Sequence, residues 1–309
     1  MKETIDNLVF QRMLRPESIE DRIEYLDFMS DFYFKVMIAL DGVVFKDPFR
    51  AEMTSSLQMM FTKAKAMLQL IDGISHRHGI VNLSSKADHT ILFTLVRSAY
   101  EQLCVFELVY GIPDSDEKRK LMENIYAATA EVNRLKFFTK DSLERNKGKL
   151  KEAEQIIESC KSEIHESSLY QSLSAKEQTE LDKVVFKKGE YQIVFPKEGG
   201  VRTHVGWDDV RDYCRLRTDA LHGVYKFACN MAHPSYLALI QFYEAYKEGV
   251  IDELNSTAVM QMTAIMSVYI MDFLEEYTEA KHIYDGLDEE SKFVVRMYSE
   301  VFRNGSKAS

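Results

Sequence analysis

The stretch ILFTLVRSAYEQLCVFELVY, residues 91–110, decides the fold class. Ile91, Leu92, Phe93, Leu95, Val96, Ala99, Tyr100, Leu103, Val105, Phe106 and Leu108 surround a helical axis almost completely. A helix that is apolar all round is a buried one, so this segment predicts a central helix with others packed about it. Its middle carries Arg97 and Glu101, four residues apart and therefore on one face. Taking such a pair out of water is unfavourable unless further hydrogen bonds complete it. The pair reads first as a structural ion pair that fixes helix register. It reads second as a functional pair, in which Arg97 holds a phosphate or oxyanion and Glu101 orients it or a histidine.

Helical punctuation recurs outward from this segment. The sequence predicts a short helix over 4–14 and a longer one over 17–41, closed by Gly42. Asp47-Pro48 is an N-cap followed by proline at the first helical position, opening a helix to about Ile71. Residues 74–84 read as a polar loop, and 85–111 as the central helix. Asp114 and Glu117 suggest a capping-box start for a helix to about Lys140, and Ser174 with Glu177 a second box for 175–185. The charged stretch 141–166 reads as an exposed helical arm. Tyr191–Phe195 and Val201–Val205, separated by Pro-Lys-Glu-Gly-Gly, read as a β-hairpin insert over 186–206. Helices over 207–233, 235–248, 256–281 and 288–303 complete an all-α, multi-helix bundle, taken as one domain over 1–309.

Composition agrees and excludes several classes. The chain of 309 residues holds 13 Gly and 5 Pro, about half the usual share of roughly 12%. Sandwiches, barrels and Rossmann-type enzymes spend more glycine than that on turns and phosphate loops. With 46% hydrophobic residues the chain is not disordered, and a net charge of −10 argues against a general nucleic-acid coat. Four cysteines without CxxC spacing read as free thiols, and Met1-Lys2-Glu3-Thr4 opens without an apolar signal region. Leu254–Met271 is uncharged and nearly long enough to span a bilayer. Its Asn, Gln, Ser and Thr residues, and the lack of flanking basic clusters, favour a buried bundle helix instead. The expectation is a cytoplasmic protein without a membrane partner.

Familiar catalytic motifs are missing: no Walker A, GxGxxG, GxSxG or HExxH occurs. His76-x-His78 has no carboxylate or cysteine neighbour to complete a metal site, so neither a metal nor a cofactor is expected. The predicted helix 207–233 is more informative. Asp208, Asp212, Arg215, Asp219, His222, Lys226, Asn230 and His233 project into a sector roughly 80° wide. The plain reading is the wet face of an amphipathic helix. The functional reading is a groove where His233 moves protons while Arg215, His222, Lys226 and Asn230 contact phosphate. Pro234 ends the helix, and a cationic His233 there would be stabilised by the helix dipole.

Two passages carry a resemblance. Leu95–Glu101 is similar to the R-S-x-x-E helix of a set of uncharacterised bacterial helical proteins. Tyr225–Ser235 resembles the Y-x-x-x-S-x-x-x-H-P-S stretch of the same set, which in turn resembles the HEPN superfamily. That resemblance covers about 45 residues. It implies a compact helical bundle, common in bacterial defence and toxin–antitoxin systems. Many such proteins are metal-independent ribonucleases, and others are binding or dimerisation modules. The nuclease motif places an arginine a few residues before a histidine, whereas the corresponding positions here are Lys226, Phe227, Ala228 and Cys229. On that departure the leading expectation is a non-catalytic interaction or sensor module, forming a homodimer and binding a protein or RNA. The alternative is a ribonuclease with Arg97, Glu101 and His233 as its catalytic groups. A further alternative is a ligand-binding bundle that uses the 15 Met and 16 Tyr side chains.

Overall fold

A computed structural model of the protein describes residues 11–12, 18–84, 87–137, 146–214, 216 and 223–304. It is an all-α bundle with one small β-hairpin. Contacts divide the chain, read above as one domain, into two compact units: residues 1–103 with 216–309, and residues 104–215. The predicted helix 4–14 lies largely outside the described residues.

Unit 1 is built on α1 (Ile19–Leu40), α2 (Pro48–Leu70), most of α3 (His89–Phe106), and the long α11 (Ile251–Glu276) with the short α12 (Lys281–Asp285) and α13 (Glu289–Asn304). Asp47 caps α2 as its sequence predicts, accepting from the Phe49 amide at 3.0 Å. The uncharged stretch 254–271 lies inside α11, the one helix among the described residues long and apolar enough to cross a membrane, and 78% of that span is buried within the protein. Val259, Met262, Ile265, Met266, Val268, Tyr269, Ile270 and Phe273 surround its axis, and it packs against α1 and α13. Polar groups pin its neighbours. Tyr33 donates to the Met266 carbonyl at 2.7 Å, and Asn255 to the Ala87 carbonyl at 3.1 Å, just ahead of α3.

The β-hairpin is not at 186–206 but at 75–84, the stretch expected to be a loop. β1 (Ser75–His78) pairs antiparallel with β2 (Val81–Ser84), and Gly79 takes φ 60° at the first position of the two-residue turn. All four β1 residues are exposed, so no buried face betrays the strand. Residues 191–205 do double back, yet they form one isolated bridge, Val194 with Arg202. The next bond runs from the Val205 amide to the Gln192 carbonyl, one residue out of step with that bridge. The extra residue forms a bulge at His204, whose φ is 60°, and the ladder cannot extend.

Unit 2 centres on α4 (Asp116–Lys136) and α5 (Lys147–Glu166), followed by α6 (Ser168–Ser172), α7 (Ala175–Asp182) and α8 (Trp207–Tyr213). The expected exposed arm is corrected here: α5 packs along α4, burying Ala153, Cys160 and Ile164 at helical spacing. Few apolar residues suffice because only a narrow stripe of α5 is covered. Ser115, not Asp114, caps α4, while Glu117 reaches the Ser168 hydroxyl at 2.6 Å and the Leu169 amide at 3.2 Å. The Ser174–Glu177 capping box forms as read. The last turn of the α3 segment widens into a π-helix at Glu107–Gly111, where a side chain on residue 111 would collide with the Glu107 carboxylate.

A buried imidazole in unit 1 gives a first test. His89 is fully buried, its two ring nitrogens lack hydrogen-bond partners, and it stacks on Phe242 at 5.7 Å. Burial lowers its pKa, with Asp88 opposing. The folded protein therefore binds this proton less readily than the unfolded chain. The stability it contributes is present above about pH 6.5 and is lost as pH falls below that value. His89→Phe keeps the stacking and removes the proton. Urea midpoints followed from pH 7.5 downward should decline less for the variant than for the wild type. Parallel curves would show that His89 is not the titrating group.

Candidate active site

The helix read as continuous over 207–233 is broken. α8 stops at Tyr213, and Cys214 follows with an extended backbone. α9 (Val224–Ala232) begins only after Gly223, which takes φ 84°. The eight-residue polar face is therefore not one surface. Arg215, Asp219 and His222 lie outside the described residues. Asp208 and Asp212 instead flank the buried Arg211, at 3.9 and 3.7 Å.

What survives is α9, whose residues 225, 229 and 233 follow i, i+4, i+8 and share one face. That face meets α3. Arg97 Nη1 lies 2.8 Å from His233 Nε2, and Arg97 Nε donates to Glu101 Oε1 at 3.0 Å. Tyr225 donates its hydroxyl to the same Glu101 oxygen at 2.9 Å. The Tyr225 ring lies under the Arg97 guanidinium at 5.9 Å and stacks on Tyr100 at 5.3 Å. Phe227 meets Phe93 edge-on at 5.0 Å and anchors the other side of α9. The structure thus joins two passages 136 residues apart in sequence.

The electrostatics are consistent with that geometry. Burial works against the Arg97 charge, but the Glu101 hydrogen bond and the neighbouring Cys229 and Tyr225 outweigh it and raise its pKa. The guanidinium remains charged and can only donate, so His233 must accept through Nε2 and carry its own proton on Nδ1. Burial, with hydrogen bonds to Cys229 and Glu101, pushes the Tyr225 hydroxyl far above its ordinary range, so it stays protonated as a donor. Arg97 and Glu101 side chains are 29% and 30% exposed. The cluster is supported from below and open above.

Local sequence explains how His233 is presented. It is the C-cap of α9, with its amide bonded to the Cys229 carbonyl at 3.1 Å. Pro234 prevents continuation, and Ser235 caps the next helix, α10 (Tyr236–Glu248), by accepting from the Ala238 amide. The His-Pro-Ser run is thus a joint between two helices that leaves the imidazole exposed. Of the other expected groups, Lys226 and Asn230 are exposed on the flank of α9 and bond neither Arg97 nor Glu101. Tyr225 and Cys229 were not singled out as site residues. Their spacing of eight and four residues before His233, which puts all three on one helical face, is the available signal.

Remaining candidates fare differently. His76 and His78 lie on the exposed strand β1, and no cluster of three or more His, Cys, Asp or Glu side chains suited to a metal occurs among the described residues. Cys104, Cys160 and Cys214 are buried, Cys229 is half-buried, and all four are free thiols. Many methionines, including Met29, Met60, Met67, Met262 and Met266, are fully buried core residues. An open groove of about 360 Å³ between α1 and α2 is lined by Phe34, Met37, Ile38, Leu57 and Gln58, and Arg97 and His233 do not reach it. No protein-family model, curated protein or solved structure matches this chain.

Proposed function

We propose that unit 1 carries an acid–base centre for phosphodiester cleavage, with Arg97 and His233 as its catalytic groups and RNA as its substrate. One observation carries the reading: the 2.8 Å approach of Arg97 to His233 across two helices. Cleavage of RNA by its own 2′-hydroxyl needs a base for the 2′ proton. It also needs cationic donors for the charge growing on the phosphoryl oxygens, and an acid for the departing 5′ oxygen. Where His233 accepts from Arg97 it offers its lone pair on Nε2, the atom a base requires. In the proposed step the 2′-oxygen–phosphorus bond forms and the phosphorus–5′-oxygen bond breaks. The proton moves from the 2′ oxygen to Nε2 and from there to the leaving oxygen, giving a cyclic phosphate and a free 5′-hydroxyl.

Arg97 holds the phosphoryl oxygens, and an incoming phosphate exchanges for its contact with His233. Glu101 and Tyr225 are positioning residues, since they hold the guanidinium plane rather than meeting substrate. Lys226 and Asn230 supply exposed phosphate contacts beside the centre, Lys226 as a point charge.

The test is cleavage of a mixed RNA pool by the purified chain in EDTA. Wild-type protein is expected to cut. His233→Ala is expected to lose about 10²–10⁴-fold in rate while keeping its helical circular dichroism. A wild type that leaves the pool intact, or a variant that cuts at full rate, would overturn the reading. The second reading is a non-catalytic interaction module of a cytoplasmic bacterial defence-type or toxin–antitoxin-type system. It is favoured by the uncovered apolar face of α10.

A further inference from the structure

α10 lies lightly on the rest of unit 1. The side chains it buries are small, Ala238 and Ala245, whereas Tyr236, Leu239 and Tyr243 are 79%, 60% and 66% exposed. Its large inward anchor is the half-buried Phe242, which stacks on His89 with ring centres 5.7 Å apart and planes 29° from parallel. That anchor rests on a titratable group. His89 is fully buried, and neither of its ring nitrogens has a hydrogen-bond partner.

His89 also opens α3, and the N-terminal end of a helix disfavours a positive charge. A proton on the ring would leave a buried cation without an acceptor, far costlier than the neutral imidazole. The surrounding charges do not reverse this. Asp88 favours the proton, but burial outweighs it, and the Asp88 carboxylate already accepts from the Thr90 amide at 2.8 Å and hydroxyl at 2.7 Å. On α10, Tyr246 feels Asp88 and stays neutral, its hydroxyl raised by burial and by that carboxylate. Glu244, Lys247 and Glu248 of α10, and Asp252 and Glu253 of α11, are exposed to solvent.

We infer that His89 is a pH-operated latch: once protonated it no longer seats Phe242, and α10 detaches from α3 while the rest of unit 1 stays folded. Little apolar area holds α10 down, so its opening costs less than unfolding the bundle. Opening returns the imidazole to water, where it takes a proton near its ordinary value, so the detached form gains progressively below about pH 6.5. The movement reaches His233, which Pro234 and Ser235 alone separate from α10. The Ser235 amide donates to the His233 carbonyl at 2.7 Å, so detachment of α10 loosens the approach of His233 to Arg97. That last consequence rests on the acid–base reading of the centre, and the latch does not.

Hydrogen exchange on the full chain, read by mass spectrometry at pH 7.5 and 5.5 and corrected for intrinsic rates, tests the latch. Peptides within 236–248 are expected to exchange up to about tenfold faster at pH 5.5, one unit below the ordinary imidazole value. Peptides within α11 are expected to keep their protection. His89→Phe keeps the stack and cannot take a proton, so its α10 protection is expected to be equal at the two pH values. Should that variant lose helicity, His89→Leu is read in the same way. Wild-type α10 protection that does not change with pH overturns the inference. So does a loss that persists in the neutral variants, or one that takes α11 with it. Cleavage is the separate arm: the ratio of His89→Phe to wild-type RNA cleavage is expected to rise from pH 7.5 to 5.5, by at most about tenfold. A chain that cuts no RNA removes the acid–base reading, and exchange alone then decides the latch.

Discussion

Arg97→Lys is expected to lower RNA cleavage by about 10²–10³-fold, nearly as far as Arg97→Ala, although the positive charge is kept. The reason is the geometry of the guanidinium. Its Nε is committed to Glu101 at 3.0 Å, and its Nη1 reaches His233 at 2.8 Å from the other side of the same plane. A lysine ammonium is a single point at the end of a flexible stem, so it can satisfy Glu101 or approach His233 but cannot span both. The substitution also removes the guanidinium carbon that lies 5.9 Å from the centre of the Tyr225 ring, weakening that cation–π contact. The imidazole gives a readout independent of turnover. With Arg97 in place, His233 carries its proton on Nδ1 and accepts at Nε2, a tautomer that ring ¹⁵N shifts identify. Arg97→Lys should leave a mixture of tautomers. A lysine variant with wild-type cleavage and an unchanged tautomer would mean that Arg97 contributes charge alone, and the role of its fork would have to be given up.

The same residues show what could be read from sequence and what could not. Arg97 and Glu101 stood out because two charges interrupt an otherwise apolar helix, and burial penalties make such an interruption informative. His233 stood out because proline follows it. Their meeting was not legible, since it depends on how α9 docks on α3, and no local pattern encodes that. The break between α8 and α9 was missed for a definite reason. Apolar residues in the sequence keep roughly helical spacing through this span, whereas α8 ends at Cys214 with an extended backbone and α9 starts only after Gly223 at φ 84°, a glycine conformation that the apolar period does not register. The hairpins were exchanged for the opposite reason. Residues 191–205 have the β-branched and aromatic content of strands, but the bulge at His204 stops the ladder. Residues 75–84 lack that content, and the Gly79 turn carries them. Caps were read more reliably, as at Asp47 and Ser174, because the cap bond lies within three residues of sequence. The α5 stripe was too narrow to separate a packed helix from an arm.

Phe273→Ala is expected to destabilise the protein by about 3–5 kcal/mol, the largest loss for a single core truncation of this type. Phe273 is fully buried at the middle of an aromatic ladder along α11. It stacks on Tyr277 at 4.2 Å with the rings 5° from parallel, and on Tyr269 at 6.0 Å and 20°. The ladder continues to Tyr33 at 6.4 Å on one side and to Phe45, edge-on at 5.7 Å, on the other. Arg50 covers the Tyr277 end at 4.8 Å, and the Tyr277 hydroxyl donates to the Arg50 carbonyl. Removing the central ring leaves a cavity whose walls are themselves held by hydrogen bonds, including Tyr33 to the Met266 carbonyl, so they cannot collapse inward. Phe273→Leu, which keeps most of the volume, should lose no more than about 1.5 kcal/mol, and Ile38→Ala on the surface about 0.5 kcal/mol or less. Urea unfolding followed by circular dichroism ranks the three. A Phe273→Ala loss below that of Phe273→Leu would remove the ladder from the core. Cleavage assays on the same variant separate stability from chemistry. Phe273 touches neither Arg97 nor His233, so activity should fall only in proportion to the unfolded fraction, and the rate per folded molecule should hold. A rate lost while the protein remains fully folded would mean that the packing of α11 sets the approach of α9 to α3.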